Sequence, residues 1–144
     1  MKAVNPYLNF QGQSEQAFNF YKSVFGGEYS AFVRYGDMPQ TPDQEGCAGM
    51  ILPDKDKIMH ISLPLPTGNT LMATDVVGSE EFPFLPGNNF SISVSADNTD
   101  EGKKLYDALS KDGNPMMPFA PADWGGHWGM LVDAFGIQWM VDCE

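Results

Sequence analysis

Basic residues, cysteines and long apolar runs are all scarce in this chain of 144 residues. Eight lysines and arginines stand against 19 acidic residues, which gives a formal net charge of −11. A chain this acidic repels phosphate backbones and anionic lipid surfaces, so we expect neither nucleic acid nor a membrane as a partner. Its apolar runs are also far shorter than the roughly 20 residues that a membrane-spanning helix needs.

The two cysteines, Cys47 and Cys143, belong to no C-x-x-C or metal-finger pattern. We therefore expect two reduced thiols rather than a disulfide. The first residues, 1–3, lead directly into a predicted strand, without the apolar segment and cleavage site of a secretory signal. We therefore expect a cytoplasmic protein, long enough to bury the core of one domain.

The chain contains two half-chains with the same order of strand, amphipathic helix and further strands. In the first half, residues 7–10 form an extended run, Ser14 can cap a helix and Gly26-Gly27 ends it. In the second half, a strand over residues 90–95 precedes a helix that Asn98 caps. The repeat predicts an α+β fold of two βαβββ modules, with curved mixed sheets around a cavity.

These modules span residues 1–77 and 90–144 of a single domain, with residues 78–89 as the linker between them. Residues 36–57 show neither the helical nor the strand periodicity of apolar residues over most of their length. A loop this long in a small domain is often a lid or a subunit contact, although a solvated connector fits the pattern equally well.

Six segments in order along the chain carry a resemblance to a known family: residues 5–10, 17–27, 35–39, 59–60, 71–75 and 133–139. Together they resemble the PhnB-like branch of the vicinal oxygen chelate superfamily. This superfamily has the glyoxalase/bleomycin-resistance/dioxygenase fold, and the resemblance covers nearly the whole chain. It implies a small-molecule ligand and a homodimer, and it leaves the reaction open because this fold serves many chemistries.

Metal-dependent members of this superfamily hold an ion with side chains from four strands. The resemblance places those positions at Asn5, Met72, Ser91 and Met140. Amide, thioether and hydroxyl groups lack the charge and basicity of the usual ligands for Zn²⁺, Fe²⁺ or Ni²⁺. We therefore expect no metal at the usual site, and no other cofactor.

His60 is the strongest chemical candidate. A tight hairpin turn at Thr67-Gly68 places it opposite Asp75, within reach of a hydrogen bond between imidazole and carboxylate. Such a pair acts as a general base on a bound small molecule. The alternative is a structural pair that satisfies a partly buried histidine.

Strand alternation predicts which other side chains face the cavity, since successive residues point to opposite faces of a sheet. The glycine-flanked segment that contains Trp124, His127 and Trp128 also resembles the mouth of a pocket, or else fills core or dimer-interface volume. The residues predicted by alternation are Asn5, Tyr7, Asn9, Ser91, Ser93, Ser95, Gln138, Met140 and Asp142.

Three functions fit this pattern. The first is a small-molecule enzyme that works without the usual metal, and the second is a protein that sequesters an aromatic or cationic compound. The third follows from the name that relatives of this branch often carry, 3-demethylubiquinone methyltransferase. Residues 9–13 argue against it, because they lack the glycine-rich turn that binds nucleotide-type cofactors.

Overall fold

The structure, a computed structural model, describes residues 1–37 and 52–144. Most of the predicted 36–57 loop, and Cys47 within it, lie outside these residues. The chain divides into two compact units, Met1–Leu85 and Pro86–Glu144. Within the described ranges, no helix has the length and apolar character needed to cross a membrane.

The first unit has one helix and a four-stranded sheet in the order β1-β4-β3-β2. Strands β1 and β4 are parallel, and the other two pairs are antiparallel. A short 3-10 turn, Tyr35–Asp37, follows β2. The elements are β1 (Tyr7–Phe10), α1 (Ser14–Phe25), β2 (Ala31–Arg34), β3 (Ile58–Pro64) and β4 (Thr70–Asp75).

The second unit repeats this topology with the strand order β5-β8-β7-β6, in which β5 and β8 are parallel. The α+β fold of two βαβββ modules is thereby confirmed. Strand β5 begins two residues later than predicted, and Phe90 is 62% exposed. The elements are β5 (Ile92–Ser95), α2 (Thr99–Leu109), β6 (Asn114–Pro121), β7 (His127–Val132) and β8 (Gln138–Cys143).

Helix α1 buries the apolar stripe that its sequence predicts. Ala17, Phe18 and Tyr21 are fully buried against one face of the sheet. The helix ends at Gly26, whose φ of 80° is readily adopted only by glycine and whose N–H donates to the carbonyl of Lys22. The sheet residues buried on the same side are Leu8, Phe10, Ile61, Leu63, Leu71 and Ala73.

Helix α2 begins at the predicted cap, because Asn98 Oδ1 accepts the N–H of Glu101 at 2.9 Å. Its buried stripe contains Tyr106 with Leu109, whereas Leu105 is only half-buried. Gly102 allows the helix to approach the sheet closely, since a Cβ there would lie 2.6 Å from the ring of Phe119.

Asp133 organises the turn between β7 and β8. Its Oδ1 accepts the N–H groups of Phe135 and Ile137 at 2.8 and 3.0 Å, and its Oδ2 accepts the indole N–H of Trp139 at 2.8 Å. The segment of residues 133–139 that carries part of the family resemblance is therefore a structural turn.

Asp75 is a second buried carboxylate with several backbone partners, at the end of β4 in the first unit. Its Oδ1 accepts the N–H groups of Gly12 and Ser14 at 3.1 and 2.9 Å, and its Oδ2 accepts that of Ile58 at 2.8 Å. Ser14 is the first residue of α1 and not the predicted cap; the N-cap residue is Gln13, whose side chain makes no capping bond. The Asp75 carboxylate instead satisfies the first N–H group of the helix, that of Ser14, and the N–H of Gly12 in the loop before it.

Replacing Asp75 by Asn should destabilise the fold strongly. An amide presents one oxygen and one NH₂ group to three buried N–H donors, so we expect a loss of about 3 kcal/mol and a fall in Tm of roughly 10 °C. Differential scanning calorimetry measures both. Asp107→Asn, at an exposed ion pair on α2, is the matched control and should change Tm little. Equal Tm values for the two variants would contradict the capping role of Asp75.

Candidate functional site

Each sheet turns one face to the helix of its own unit and the other face away from it. In the first unit, the side chains that point away from α1 form what we call the polar face. Strand pairing places Tyr7 beside Met72 and Asn9 beside Thr74 on this face, while Leu8 and Ala73 pack beneath α1. The polar face consists of Tyr7, Asn9, His60, Ser62, Met72 and Thr74.

A hydrogen-bonded pair of Tyr7 and His60 lies on the polar face. The phenol oxygen is 3.1 Å from Nδ1 of the imidazole, and the two rings stack with centroids 5.7 Å apart. Tyr7 is 47% exposed, and His60 is half-buried. Which group donates the proton depends on the imidazole tautomer, and Nε2 takes no part in this bond.

Tyr35 brings a second phenol to this group. Its hydroxyl donates to the carbonyl of Asp75 at 2.8 Å and lies 3.3 Å from Oγ1 of Thr74. Burial raises the pKa of Tyr7 above its usual value, and the neighbouring Tyr35 raises it further. The Tyr7 phenol is neutral at physiological pH, as an ordinary tyrosine is, and it can donate to an imidazole or to a ligand.

The predicted pair of His60 and Asp75 is wrong. The hairpin pairs Pro64 with Thr70 and leaves residues 65–69 in the loop, so facing residues are displaced by one position from the prediction. A displacement of one residue moves a side chain to the other face of the sheet. Asp75 consequently lies under α1 with 1% exposure, where it binds backbone N–H groups, whereas His60 lies on the polar face.

The two predicted asparagines have different surroundings. Asn9 is exposed on the polar face, as alternation predicts. Asn5 precedes β1, and its Oδ1 accepts the N–H of Thr70 at 3.0 Å. This contact fixes the start of β1 to β4, so the Asn5 oxygen has a structural partner.

In the second unit, the side chains that point away from α2 form a surface that we call the tryptophan face. Trp128 pairs with Asp142 across β7 and β8, and Met130 pairs with Met140 in the same way. Trp124, in the turn before β7, meets Trp128 edge to face with centroids 6.2 Å apart. The tryptophan face consists of Ser93, Trp128, Met130, Gln138, Met140 and Asp142, with Trp124 at its margin.

His127 does not share this face with Trp128, contrary to the prediction that groups them. It pairs with Cys143, which is buried on the α2 side of the sheet. Its ring lies 5.6 Å from that of Phe119, which in turn stacks on Tyr106 of α2. Adjacent strand residues point to opposite faces, and this rule separates the histidine from the tryptophan.

The other predicted ligand-binding residues of this unit differ in their position and in their hydrogen-bond partners. Ser91 precedes β5, and Ser93 lies on the tryptophan face with its hydroxyl 3.3 Å from a carboxylate oxygen of Asp142. The Gln138 amide donates to the carbonyl of Phe90 at 2.9 Å. Met140 is half-buried, and as predicted its side chain lies on the opposite face of the sheet from the buried Trp139.

Sequence reasoning missed Tyr35, which follows β2 in a 3-10 turn, so alternation cannot predict its direction. For Asp142, alternation with the buried Val141 and Cys143 predicted only that it faces the cavity. Its importance becomes visible only when pairing places it opposite Trp128.

Comparison with known proteins now identifies the family. Residues 2–142 match the family model described as 3-demethylubiquinone-9 3-methyltransferase. The chain belongs to this family. The Escherichia coli (strain K12) protein YjdN is 28% identical over 142 residues, which cover 96% of this chain and 93% of YjdN.

Solved structures support the same assignment. Protein PA1353 from Pseudomonas aeruginosa is 35% identical, with a TM-score of 0.81 over 98% of this chain and 96% of that one. The PhnB protein from Bacillus cereus, described as a candidate 3-demethylubiquinone-9 3-methyltransferase, is 25% identical, with a TM-score of 0.74 over 98% of both chains. More distant structures named glyoxalase/bleomycin resistance/dioxygenase proteins share the fold. The family model, the PhnB protein and the shared fold agree with the resemblance to the PhnB-like branch of the vicinal oxygen chelate superfamily.

In this chain, the residues at the usual metal position of the superfamily do not suit a metal ion. Asn5 already binds the backbone of Thr70. The positions at Met72, Ser91 and Met140 supply thioether and hydroxyl groups, which are poor ligands for Zn²⁺, Fe²⁺ or Ni²⁺. Within residues 1–37 and 52–144, no three His, Cys, Asp or Glu side chains lie together as metal ligands do.

The purified protein should carry far less than one transition-metal ion per chain. The donor set at the superfamily position lacks imidazole and carboxylate groups, and this is the physical reason. Inductively coupled plasma mass spectrometry measures the content after purification without chelators. One ion per chain that disappears in a His60→Ala variant would contradict this prediction and would locate a site at His60.

The phenol of Tyr7 should titrate at a higher pH than an ordinary tyrosine, whose pKa is 10.0. A raised pKa in the folded state stabilises the fold below the ordinary value, and this contribution is lost as the pH rises through the folded-state pKa. NMR of tyrosines labelled with ¹³C at Cζ resolves this titration. Tyr35→Phe should lower the pKa of Tyr7, whereas Tyr29→Phe, beyond the polar face, should leave it unchanged.

Proposed function

We propose that this protein binds and transforms a small organic molecule at the polar face of its first unit, without the usual metal of its superfamily. The Tyr7–His60 hydrogen bond is the observation that carries the proposal. It joins an acid–base group to a neutral phenol on a sheet face that α1 leaves uncovered. Tyr35 and Thr74 add hydroxyl groups beside the pair.

This arrangement suits proton transfer to or from a ligand oxygen. An imidazole changes its charge near neutral pH, and a hydrogen bond at Nδ1 holds the ring so that Nε2 points along a fixed direction. Tyr7 is protonated at neutral pH, as ordinary tyrosines are, so it orients His60 as a neutral partner. An aromatic compound that carries a hydroxyl group matches both the stacked rings and these polar groups.

The methyltransferase name of the family has less support in the first unit. Cofactors with anionic groups often bind the N–H groups at the start of a helix. Here Asp75 already accepts the N–H groups of Gly12 and Ser14 at the start of α1. An anionic cofactor group would have to displace a buried carboxylate from that position.

Sequestration without turnover is the second candidate. The 77% exposure of Trp124, in contact with Trp128, favours it, because exposed indoles bind flat or cationic compounds. In either case we propose a homodimer, as the family resemblance implies, and we propose that it works in the cytoplasm.

Binding of 4-nitrophenol, an aromatic compound with one hydroxyl group, tests the site. Isothermal titration calorimetry should show that Tyr7→Phe and His60→Gln each weaken its binding about fivefold, the effect of one lost hydrogen bond. Nitrobenzene, which lacks the hydroxyl group, should bind wild-type protein with similarly reduced affinity. Tyr29→Phe is the matched control and should bind like wild type. Equal affinities for all three variants would contradict a ligand at the polar face.

Incubation with the small-molecule fraction of a bacterial extract separates the two candidates. Mass spectrometry should show a compound consumed and another formed by wild-type protein, with both changes lost in His60→Gln. A compound retained unchanged by the protein, in equal amount by the variant, would favour sequestration instead.

A further inference from the structure

Trp124 and Trp128 form an aromatic pair that remains open on one side. Their ring centroids are 6.2 Å apart at 65°, and Trp124 is 77% exposed while Trp128 is half-buried. An indole of this size gains substantial free energy from burial, so its exposure is costly unless a ligand covers it. Gly125 and Gly126, both with positive φ, place this pair at the turn before β7.

A carboxylate lies beside the pair. Asp142 faces Trp128 directly across β7 and β8, which brings the Cβ atoms within about 5 Å. Its one hydrogen-bonded side-chain neighbour in the described residues is Ser93, whose hydroxyl is 3.3 Å away. The described ion pairs join Lys22, Arg34 and Lys103 to acidic partners other than Asp142.

The charges of the second unit leave this carboxylate without a nearby cation. Residues 86–144 contain three basic and nine acidic side chains, a net charge of −6. The basic ones are Lys103 and Lys104, on α2, and Lys111 just after it, on the other side of the sheet. Asp123, next to Trp124, is exposed and adds a second negative charge at the margin. The local field therefore attracts cations and repels anions.

The remaining side chains of the tryptophan face include two polarizable, apolar methionines. Met130 faces Met140 across β7 and β8, and Met140 also pairs with Ser93 on β5. Thioethers adapt to the shape of alkyl groups and are polarizable. A hydrated metal ion would find one carboxylate and few other oxygen ligands here, whereas a cation with a diffuse charge would find indole faces and a counter-ion.

We propose that the tryptophan face binds an organic cation of the quaternary ammonium type, with its alkyl groups against Trp124 and Trp128 and its charge compensated by Asp142. This inference rests on the second candidate function, sequestration, and names its ligand class. The site lies wholly within the second unit, and it does not depend on the proposed role of His60.

Choline and its neutral isostere 3,3-dimethyl-1-butanol test this proposal. Choline should bind wild-type protein with a Kd on the order of millimolar, and the isostere should bind roughly tenfold more weakly. ¹⁵N–¹H NMR follows the three indole N–H signals during titration. Those of Trp124 and Trp128 should shift, and that of the buried Trp139, bonded to Asp133, should stay fixed.

Two surface variants assign the contacts. Trp124→Ala and Asp142→Asn should each weaken choline binding about fivefold, and added salt should weaken binding to wild type more than to Asp142→Asn. Asp107→Asn on α2 is the matched charge control, and it should bind choline like wild type. His60→Gln should do the same, which keeps this test separate from that of the polar face.

The proposal is overturned by equal affinity for choline and its isostere, by unchanged binding in Asp142→Asn or Trp124→Ala, or by the absence of indole shifts at tens of millimolar choline. A choline affinity lost in His60→Gln would also overturn it, because the ligand would then lie at the polar face.

Discussion

The carboxylate of Asp75 is the contact on which the first unit depends. It joins three segments that are distant in sequence: the loop before α1, the start of β3 and the end of β4. Buried N–H groups without an acceptor cost free energy, so this one side chain fixes how the helix begins and where β3 enters the sheet. Asp133 in the second unit is also a buried carboxylate, but its partners are local: two backbone N–H groups of its own turn and the indole of Trp139.

This arrangement decides which groups are available for function. Each sheet buries one face beneath the helix of its own unit, and the acidic side chain with three hydrogen bonds belongs to that buried side. The reactive or exposed groups therefore collect on the opposite faces. In the first unit, three different strands supply Tyr7, His60 and Thr74, which explains why no contiguous motif marks the site.

The two faces differ in chemistry although the units share one topology. Hydroxyl groups and an imidazole characterise the polar face, where proton transfer and hydrogen bonding to a ligand oxygen are the natural functions. Indoles, thioethers and a carboxylate characterise the tryptophan face, which favours a soft cation. A repeated module has thus kept its architecture while its uncovered faces carry different side chains.

Local patterns in the sequence were sufficient for the fold and for the buried stripe of α1, because helical and strand periods depend on neighbouring residues alone. They also predicted the alternation of β1 and β8 and the cap at Asn98.

The pairing of His60 with Asp75, and the grouping of His127 with Trp128, were wrong for different reasons. The first rested on an assumed hairpin loop, and the second placed adjacent strand residues on one face.

By itself, the sequence determined the two βαβββ modules and the absence of metal-ligand residue types at the superfamily positions. Only the tertiary structure decided that Tyr7 is the partner of His60, because a register shift of one residue, set by distant hydrogen bonds, exchanges the two faces of a strand.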